Sequence, residues 1–523
     1  MSPQTEMHPQ RWGDPAAATS LPESARGLIE LAFGITEQPM AAGSTPPAPV
    51  IGAAALAALE GVVGVEHVLV DDATRALRTR GKSTTDLLKA RSGDLSDAPD
   101  VVVRPADQAE IEALLAVAAS HRLAVVPFGG GTSVTGGLVA ARAAYAAVVS
   151  LDLVRMKRLL GVDEESMTAT LEPGLRGPEA EALLAEHGMT LGHFPQSFEF
   201  ATVGGFAATR SSGQSSAGYG RFDALVVALT VVTPSGTITV GSAPANAAGP
   251  DLRQVFLGSE GTLGVITSVT VRVRRQPVLK EYVGWRWPSF AAGADAMRTL
   301  AQDGLLPTVI RLSDEAETAI NLADPSSIGG AGDPGCLMIT GFEGTQPAVA
   351  AKRAAVTSLL TDLHGVDLGE EPGLRWAHGR YNAPYLRDSM LDVGVLVETL
   401  ETATFWSNRE RLYADVKAAL ESTLGEGAIV LCHISHVYET GCSLYFTVAA
   451  KEAPDPLAQW AAAKSAASDA MIAAGATITH HHAVGTDHKP WFEQEIGPVG
   501  VQVLRAIKAS LDPAGILNPG VLI

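Results

Sequence analysis

The sequence predicts an α+β protein of several packed units, and three observations carry that reading. The chain has 523 residues, room for roughly two to four units by length. From Val101 onward, short apolar runs alternate with segments of helical spacing. Near Pro277 the composition changes, with Tyr282, Trp285 and Trp287 following closely, which marks a boundary between units.

Residues 36–54 are rich in Pro, Ala and Gly and predict an extended or poorly ordered arm. After the short strand at Val101, Asp107 with Glu110 three residues on matches a capping box. Ile111, Leu114, Leu115 and Ala118 then recur at helical spacing and face a core. Leu123 to Val126 predicts a strand that runs into P-F-G-G-G-T-S-V-T-G-G at 127–137. Pro178 in a first turn and Gly188 past the end frame a second helix, with Leu183 and Leu184 inward. Residues 224–240 hold two β-rich runs around Pro234-Ser235-Gly236, a hairpin, and V-I-T-S-V-T-V-R-V at 265–273 is a further strand. Beyond Pro277, strands mix with Ala-rich helices such as 408–420.

Composition excludes several classes. No stretch of eighteen residues is free of charged or polar breaks, so a membrane-spanning helix is not expected and the chain reads as soluble. A formal charge of −19, from 57 acidic against 38 basic residues, argues against a nucleic-acid-binding surface. Three cysteines, Cys336, Cys432 and Cys442, make neither a disulfide framework nor a CxxC knuckle and fit a reducing cytoplasm. The first residues lack a secretory pattern, and the last four, Gly-Val-Leu-Ile, are not a peroxisomal address. The charge disfavours anionic membranes, although a small apolar rim for peripheral docking, and a homodimer, remain compatible with it.

The run at 127–137 suits an anion, because successive glycines let backbone N–H groups converge without Cβ obstruction. A Walker A loop fails, since Gly137 and Leu138 stand where Lys and Ser/Thr are required, and the dinucleotide G-x-G-x-x-G fails at Val134. A plain tight turn is the bland alternative. Three more loops share the small, hydroxylated composition: Q-S-F-E-F-A-T-V-G-G (196–205), T-R-S-S-G-Q-S-S-A-G-Y-G (209–220) and G-S-E-G-T-L-G-V (258–265). Four such loops suit a long ligand with many polar atoms.

Their order resembles the FAD-binding domain of the vanillyl-alcohol oxidase and p-cresol methylhydroxylase type. Within that superfamily the chain is most similar to the alkyldihydroxyacetonephosphate synthase family. Further matches are G-K-S-T-T-D-L-L-K-A-R-S-G (81–93), I-R-L-S-D around Arg311, Y-L-R-D around Arg387, C-S-L-Y-F-T around Tyr445, and His480-His481-His482. The resemblance implies a two-subdomain FAD-binding domain plus an α+β cap, with the C-terminal segment returning to the FAD site. The units are then an N-terminal arm and helical region at 1–95, the FAD domain at 96–277, the cap at 278–470 and the returning segment at 471–523.

The same resemblance assigns the FAD site to Pro127, Phe128, Gly129, Gly130, Gly131, Thr132 and Ser133 at the pyrophosphate. Gln196, Ser197, Phe198, Glu199, Phe200, Ala201 and Thr202 complete it with Thr209, Arg210, Ser211 and Ser212, and with Ser259, Glu260, Gly261, Thr262, Leu263, Gly264 and Val265. Gln196 departs from the Asp common in the family. The glycine loop carries no His for a flavin linkage, so FAD is expected to be non-covalent.

Four features are candidates for chemistry. Arg311 is one guanidinium in an apolar strand-like run, either a surface arginine or a fixed cation near flavin or phosphate. Arg387 precedes Asp388 and is either a local ion pair or, as the resemblance implies, the group that holds the substrate anion. Tyr445 lies on a strand with Leu444 and Phe446 pointing the other way; it is a packing residue, or the acid/base that the resemblance implies, with Tyr438 as rival. On a strand the outer two of His480, His481 and His482 share a face, and on a helix the three fan out, so no metal is expected there. A metal would need His433 or His436 to complete a pair. The resemblance implies a proton-handling role in the active site.

It also implies an exchange of the fatty acyl group of acyl-dihydroxyacetonephosphate for a fatty alcohol, an ether-lipid reaction without net redox change. The competing expectation is an FAD-dependent D-2-hydroxyacid (lactate- or glycolate-like) dehydrogenase or oxidase, and a third is an FAD-binding protein without catalysis.

Overall fold

Val101–Val103, Leu123–Phe128 and Ala147–Asp152 are apolar at nearly every position because both faces of their sheet are covered. They pair in parallel, Leu123–Phe128 against Ala147–Asp152 against Val101–Val103, and Val68–Leu69 closes one edge antiparallel. Helices Ala53–Val63 and Gln108–His121 cover one face, with Leu59, Ile111, Leu114, Leu115 and Ala118 in its core. The Asp107 side chain accepts from the Glu110 N–H. The expected capping box is displaced by one residue, since the Glu110 carboxylate reaches the N–H of Ala106 rather than that of Asp107. The computed structural model describes residues 5–523 apart from 19, 22, 143 and 321–333.

A second, antiparallel sheet of five strands follows, in the order Leu159–Asp163, Thr168–Leu171, Val265–Arg272, Val226–Thr233, Gly236–Val240. The expected hairpin is present: Thr233 pairs with Gly236 across the two-residue loop Pro234-Ser235. Helix Gly177–Ala185, with Pro178 in its first turn, buries Leu184, while Leu183 packs at the margin of the same core.

The third sheet has seven antiparallel strands in the order Val366–Asp367, Leu279–Trp287, Cys336–Gly344, Val309–Ser313, Ile429–Ile434, Gly441–Lys451, Val395–Phe405. Helices Phe290–Gln302, Gln346–Asp362, Arg409–Leu424 and Pro456–Ala473 cover one face with a core that includes Met297, Val356, Leu412, Trp460, Leu444 and Phe446. The other face looks into a cavity. The chain then returns to the first sheet: Leu517 bridges to Val125, and the Asn518 amide donates to the carbonyls of Gly137 and Glu260 at 2.9 and 2.7 Å. Residues 36–52 are extended as expected but pinned rather than loose, with the N–H groups of Thr36, Gln38 and Ala41 bonded to Val393, Asp392 and Arg91.

Candidate active site

The period-2 alternation of Gly441–Lys451 sends Leu444, Phe446 and Val448 into the helix-covered core, so Tyr445, Thr447 and Ala449 face the cavity. The register is decisive. Tyr445 lies opposite Glu401 on one neighbouring strand and opposite His433 on the other, so three polar side chains form one row across three strands. The His433 ring stacks on Tyr445 at 4.7 Å between centroids. Burial pushes the Tyr445 phenol up to about 12, while its hydrogen bond with Thr399 works the other way. It is a neutral donor at neutral pH.

The histidine run is neither strand nor helix, which corrects the premise from which its side chains were expected to diverge. It is a loop wrapped around one buried carboxylate. Glu401 accepts the backbone N–H groups of His480 (2.7 Å), His481 (3.0 Å) and His482 (2.9 Å) and the hydroxyl of Thr479 (2.6 Å). Burial works against the charge of Glu401, and the surrounding imidazoles and the Thr479 hydroxyl overcome it, holding its pKa below the usual carboxylate range. An anion fixed by three successive amides is what bends the run into a wall. His481 then stacks over Tyr445 at 6.1 Å, and His482 meets its edge at 5.5 Å. Burial keeps the imidazoles neutral; His482 is lowered to about 4.

His480 turns away from the cavity, with Nδ1 at 2.9 Å from His481 Nδ1 and Nε2 at 2.5 Å from the Tyr438 hydroxyl. Tyr438, the rival phenol, therefore serves His480. His436 stacks on His480 at 4.9 Å, its Nδ1 against the hydroxyls of Ser216 (2.7 Å) and Ser212 (3.0 Å). One ring nitrogen each of His436, His480 and His481 lie within 4.8 Å of one another, a spacing a metal ion could bridge. The trio differs from the anticipated pairing of His480 with His482.

Arg311 faces the cavity from the strand Val309–Ser313, but it is not a free cation. Its guanidinium pairs with the buried Glu317 and lies 3.0 Å from His433 Nδ1, and Glu317 also reaches His433 at 3.1 Å. Burial would raise Glu317, yet His433 and Arg311 pull it down to about 2. The Arg311–Glu317–His433 cluster thus backs Tyr445. Arg387, on helix Ala383–Leu391, lines the cavity differently. One guanidinium nitrogen donates to the Lys82 carbonyl at 2.7 Å, Nε lies 3.5 Å from Asp388, and among the described residues neither Nε nor Nη2 has a hydrogen-bond acceptor.

Across from this wall the glycine loop leaves the end of Leu123–Phe128. A Cβ on Gly130 would collide with the Phe200 carbonyl, and Gly131 has a φ of +68°, so the cradle requires glycine at both positions. The cavity, about 570 Å³, is continuous from this cradle to Tyr445 and Arg387. Pro127 to Ser133, Gln196, Ser197, Ala201, Thr202, Thr209, Ser211, Ser212, Glu260, Gly261 and Gly264 line it, and Gln196 Nε2 is buried without a partner among the described residues. Side-chain-free backbone, hydroxyls and an unsatisfied amide are the donors that a dinucleotide needs.

Several residues expected to hold the cofactor do not line the cavity. Phe198 packs on Phe194 and Tyr381, and Glu199 is exposed. Phe200 packs edge-on against Trp12, and Arg210 is bonded to Leu257 and Gln254. The Thr262 hydroxyl bonds back to Ser259, and Leu263 and Val265 belong to cores. Glu260 reaches the cavity, but its carboxylate accepts the N–H groups of Val484 and Gly485 at 2.9–3.1 Å, and burial raises it to about 7. It anchors the turn after the histidines.

Two residues that organise the site escaped sequence reasoning: Glu401 and Glu317. Glu401 and Glu317 look like ordinary solvent-facing acids in their local patterns, and only the register or the following helix turns them inward.

The family described as FAD binding domain matches residues 99–242, and the family of FAD linked oxidases, C-terminal domain, matches 276–522. The alkyldihydroxyacetonephosphate synthase of Dictyostelium discoideum is 35% identical over 476 residues, 87% of this chain and 78% of that protein. That of Trypanosoma brucei brucei is 32% identical over 501 residues, 91% and 82% of the two chains. A solved alkyldihydroxyacetonephosphate synthase structure superposes with a TM-score of 0.85 at 31% identity, covering 98% of each chain. The cofactor is FAD. With the tyrosine, histidine run, arginines and glycine loops assembled on one cavity, the chain belongs to the alkyldihydroxyacetonephosphate synthase family.

Proposed function

We propose that the chain exchanges the fatty acyl group of an acyl-dihydroxyacetonephosphate for a fatty alcohol, releasing a fatty acid and forming an ether, with no net redox change. The observation that carries this reading is Tyr445 held between His433 and the His481–His482 wall on the cavity that also exposes Arg387. Arg387, with two nitrogens that lack acceptors among the described residues, takes the phosphate as a bidentate ligand. Tyr445 gives and takes the proton that the exchange moves, and neutral His481 and His482 stand ready to accept it. Arg311 and Glu317 hold His433 against the phenol. Bound FAD would supply the flavin chemistry of the exchange, and Phe128 with its three following glycines favours non-covalent binding. Apolar residues at the far end, including Ile29, Phe33 and Met390, suit a fatty chain.

Peripheral contact with a membrane belongs to the same reading, supported by exposed Leu28 and Leu31 on the helix Glu23–Phe33 beside those residues. Among the described residues, no helix is long and apolar enough to cross a membrane. A cytoplasmic location and a homodimer are compatible with it.

The test is anaerobic mixing of the purified flavoprotein with acyl-dihydroxyacetonephosphate plus long-chain alcohol and, separately, with D-lactate. Ether formation with the flavin spectrum restored supports the exchange. Flavin bleaching by D-lactate, with electrons passing to a dye, would replace it by a dehydrogenase.

A further inference from the structure

Lys82 is buried, 6% exposed, on the wall of the main cavity. Its ammonium donates to two backbone carbonyls, His8 at 2.6 Å and Pro9 at 3.3 Å, and among the described residues no carboxylate forms an ion pair with it. Its own carbonyl accepts from Arg387, so the two cations are neighbours. Among the described residues Arg387 keeps Nε and Nη2 without hydrogen-bond acceptors although its side chain is only 10% exposed. The acid beside them, Asp388, uses one oxygen on the Trp12 N–H at 2.5 Å. Arg91 and Arg11 are already paired with Asp392. Two buried cations thus face one cavity, Asp388 and Asp86 act on Lys82 only from a distance without forming an ion pair with it among the described residues, and carbonyl dipoles do not neutralise an ammonium.

A carboxylate monoanion would be matched by the Arg387 fork alone. A phosphate dianion has a third oxygen and a second charge, and a compact point charge on a flexible stem is the group that suits them. Resting on the phosphate reading above, we propose that Lys82 is the second cation of the phosphate subsite, turning its ammonium from the His8 and Pro9 carbonyls to a phosphate oxygen while Arg387 binds two others. The subsite selects phosphorylated substrates over hydroxy acids by charge.

The free protein is tuned for this hand-over. Burial lowers Lys82 to about 8, with Asp388 and Asp86 raising it and Arg387 lowering it, so the ammonium is held at neutral pH and lost above. His8, also nearby, is lowered by burial and stays uncharged at neutral pH. A phosphate monoester becomes a dianion above roughly pH 6, and inorganic phosphate about one unit higher. Affinity for a phosphate monoester should therefore rise through pH 6, that for inorganic phosphate about one unit later, and both should fall above pH 8, by about tenfold per unit on the alkaline side.

The experiment titrates the FAD-loaded protein with inorganic phosphate and with D-lactate, read by the flavin difference spectrum. In Lys82→Met, phosphate binding is expected to weaken at least tenfold, D-lactate binding to change less than twofold, and the alkaline limb to disappear; Lys82→Arg retains tight phosphate binding. KM for the phosphorylated substrate rises at least tenfold in Lys82→Met with kcat within threefold. Unchanged phosphate affinity in a Lys82→Met protein with full flavin content overturns the role of Lys82 and leaves the exchange reading standing. Wild-type protein that prefers D-lactate to phosphate overturns both.

Discussion

Replacing Glu401 with glutamine tests whether one buried anion shapes the catalytic wall. In the structure one oxygen accepts from Thr479 and the amides of His481 and His482, and the other accepts from the amide of His480 at 2.7 Å. Glutamine keeps one acceptor and sets an NH₂ group against the His480 N–H. A buried donor without an acceptor costs about 1–3 kcal/mol, and changing three charge-assisted bonds to neutral ones weakens them by a similar total, so the loop is destabilised by about 4 kcal/mol. At about 1.4 kcal/mol per decade that is close to a thousandfold shift toward open loop conformations. Exchange activity should fall at least 100-fold while FAD stays bound, because Glu401 does not line the glycine cradle. The assay pairs the exchange rate with hydrogen exchange at the amides of residues 480–482, which should lose protection. Wild-type turnover together with undiminished protection would refute the reasoning.

Other outcomes follow from the same geometry. Tyr445→Phe should lower exchange by more than 100-fold with full flavin content, as measured by product formation and absorbance; an active variant would transfer the role to Tyr438. Gly130→Ala drives a Cβ into the Phe200 carbonyl, an overpacking of about 1–3 kcal/mol at the cradle, and should lower flavin content to a tenth or less after gel filtration. Glu317 is depressed to about 2 in the folded protein from an ordinary value of 4.5, so it contributes about 3 kcal/mol that is present above pH 4.5 and is lost as pH falls through 2. Glu317→Gln should flatten that acid limb in denaturant unfolding curves. Each imidazole of the His436, His480 and His481 trio is already hydrogen-bonded, so dialysis against a chelator should leave exchange unchanged and added zinc should inhibit it; activity abolished by the chelator and restored by zinc would make the trio a required metal site.

What was legible in the sequence was what local periodicity encodes. Leu444 and Phe446 flanking Tyr445 predict which way the phenol points, and Thr233 to Gly236 predicts its own hairpin. The glycine loop was legible because backbone rather than side chains lines that end of the cavity, which composition reports directly. What remained hidden depends on long-range pairing. Glu401 meets the amides of His480 to His482 some eighty residues later, and no spacing rule connects them. The run was read as regular structure because strand and helix are the only geometries with a period, and a loop organised by an ion has none. The sequence leaves Arg311 as a surface arginine or a fixed cation near flavin or phosphate, and its partner Glu317, six residues on, is hidden because it sits in the next element. The expected cofactor segments reach the cavity only in part for a related reason: Phe198, Phe200 and Leu263 stand within them, but their large side chains pack on neighbouring rings and cores while backbone and small residues face the cavity.

The most direct test of the central claim is product stoichiometry under anaerobic conditions. Purified flavoprotein given acyl-dihydroxyacetonephosphate and a long-chain alcohol should form one ether product for each fatty acid released, over many turnovers, with no electron acceptor and the flavin ending in its starting redox state. Fatty acid released without ether, or turnover that stops until an electron acceptor is added, would contradict the account.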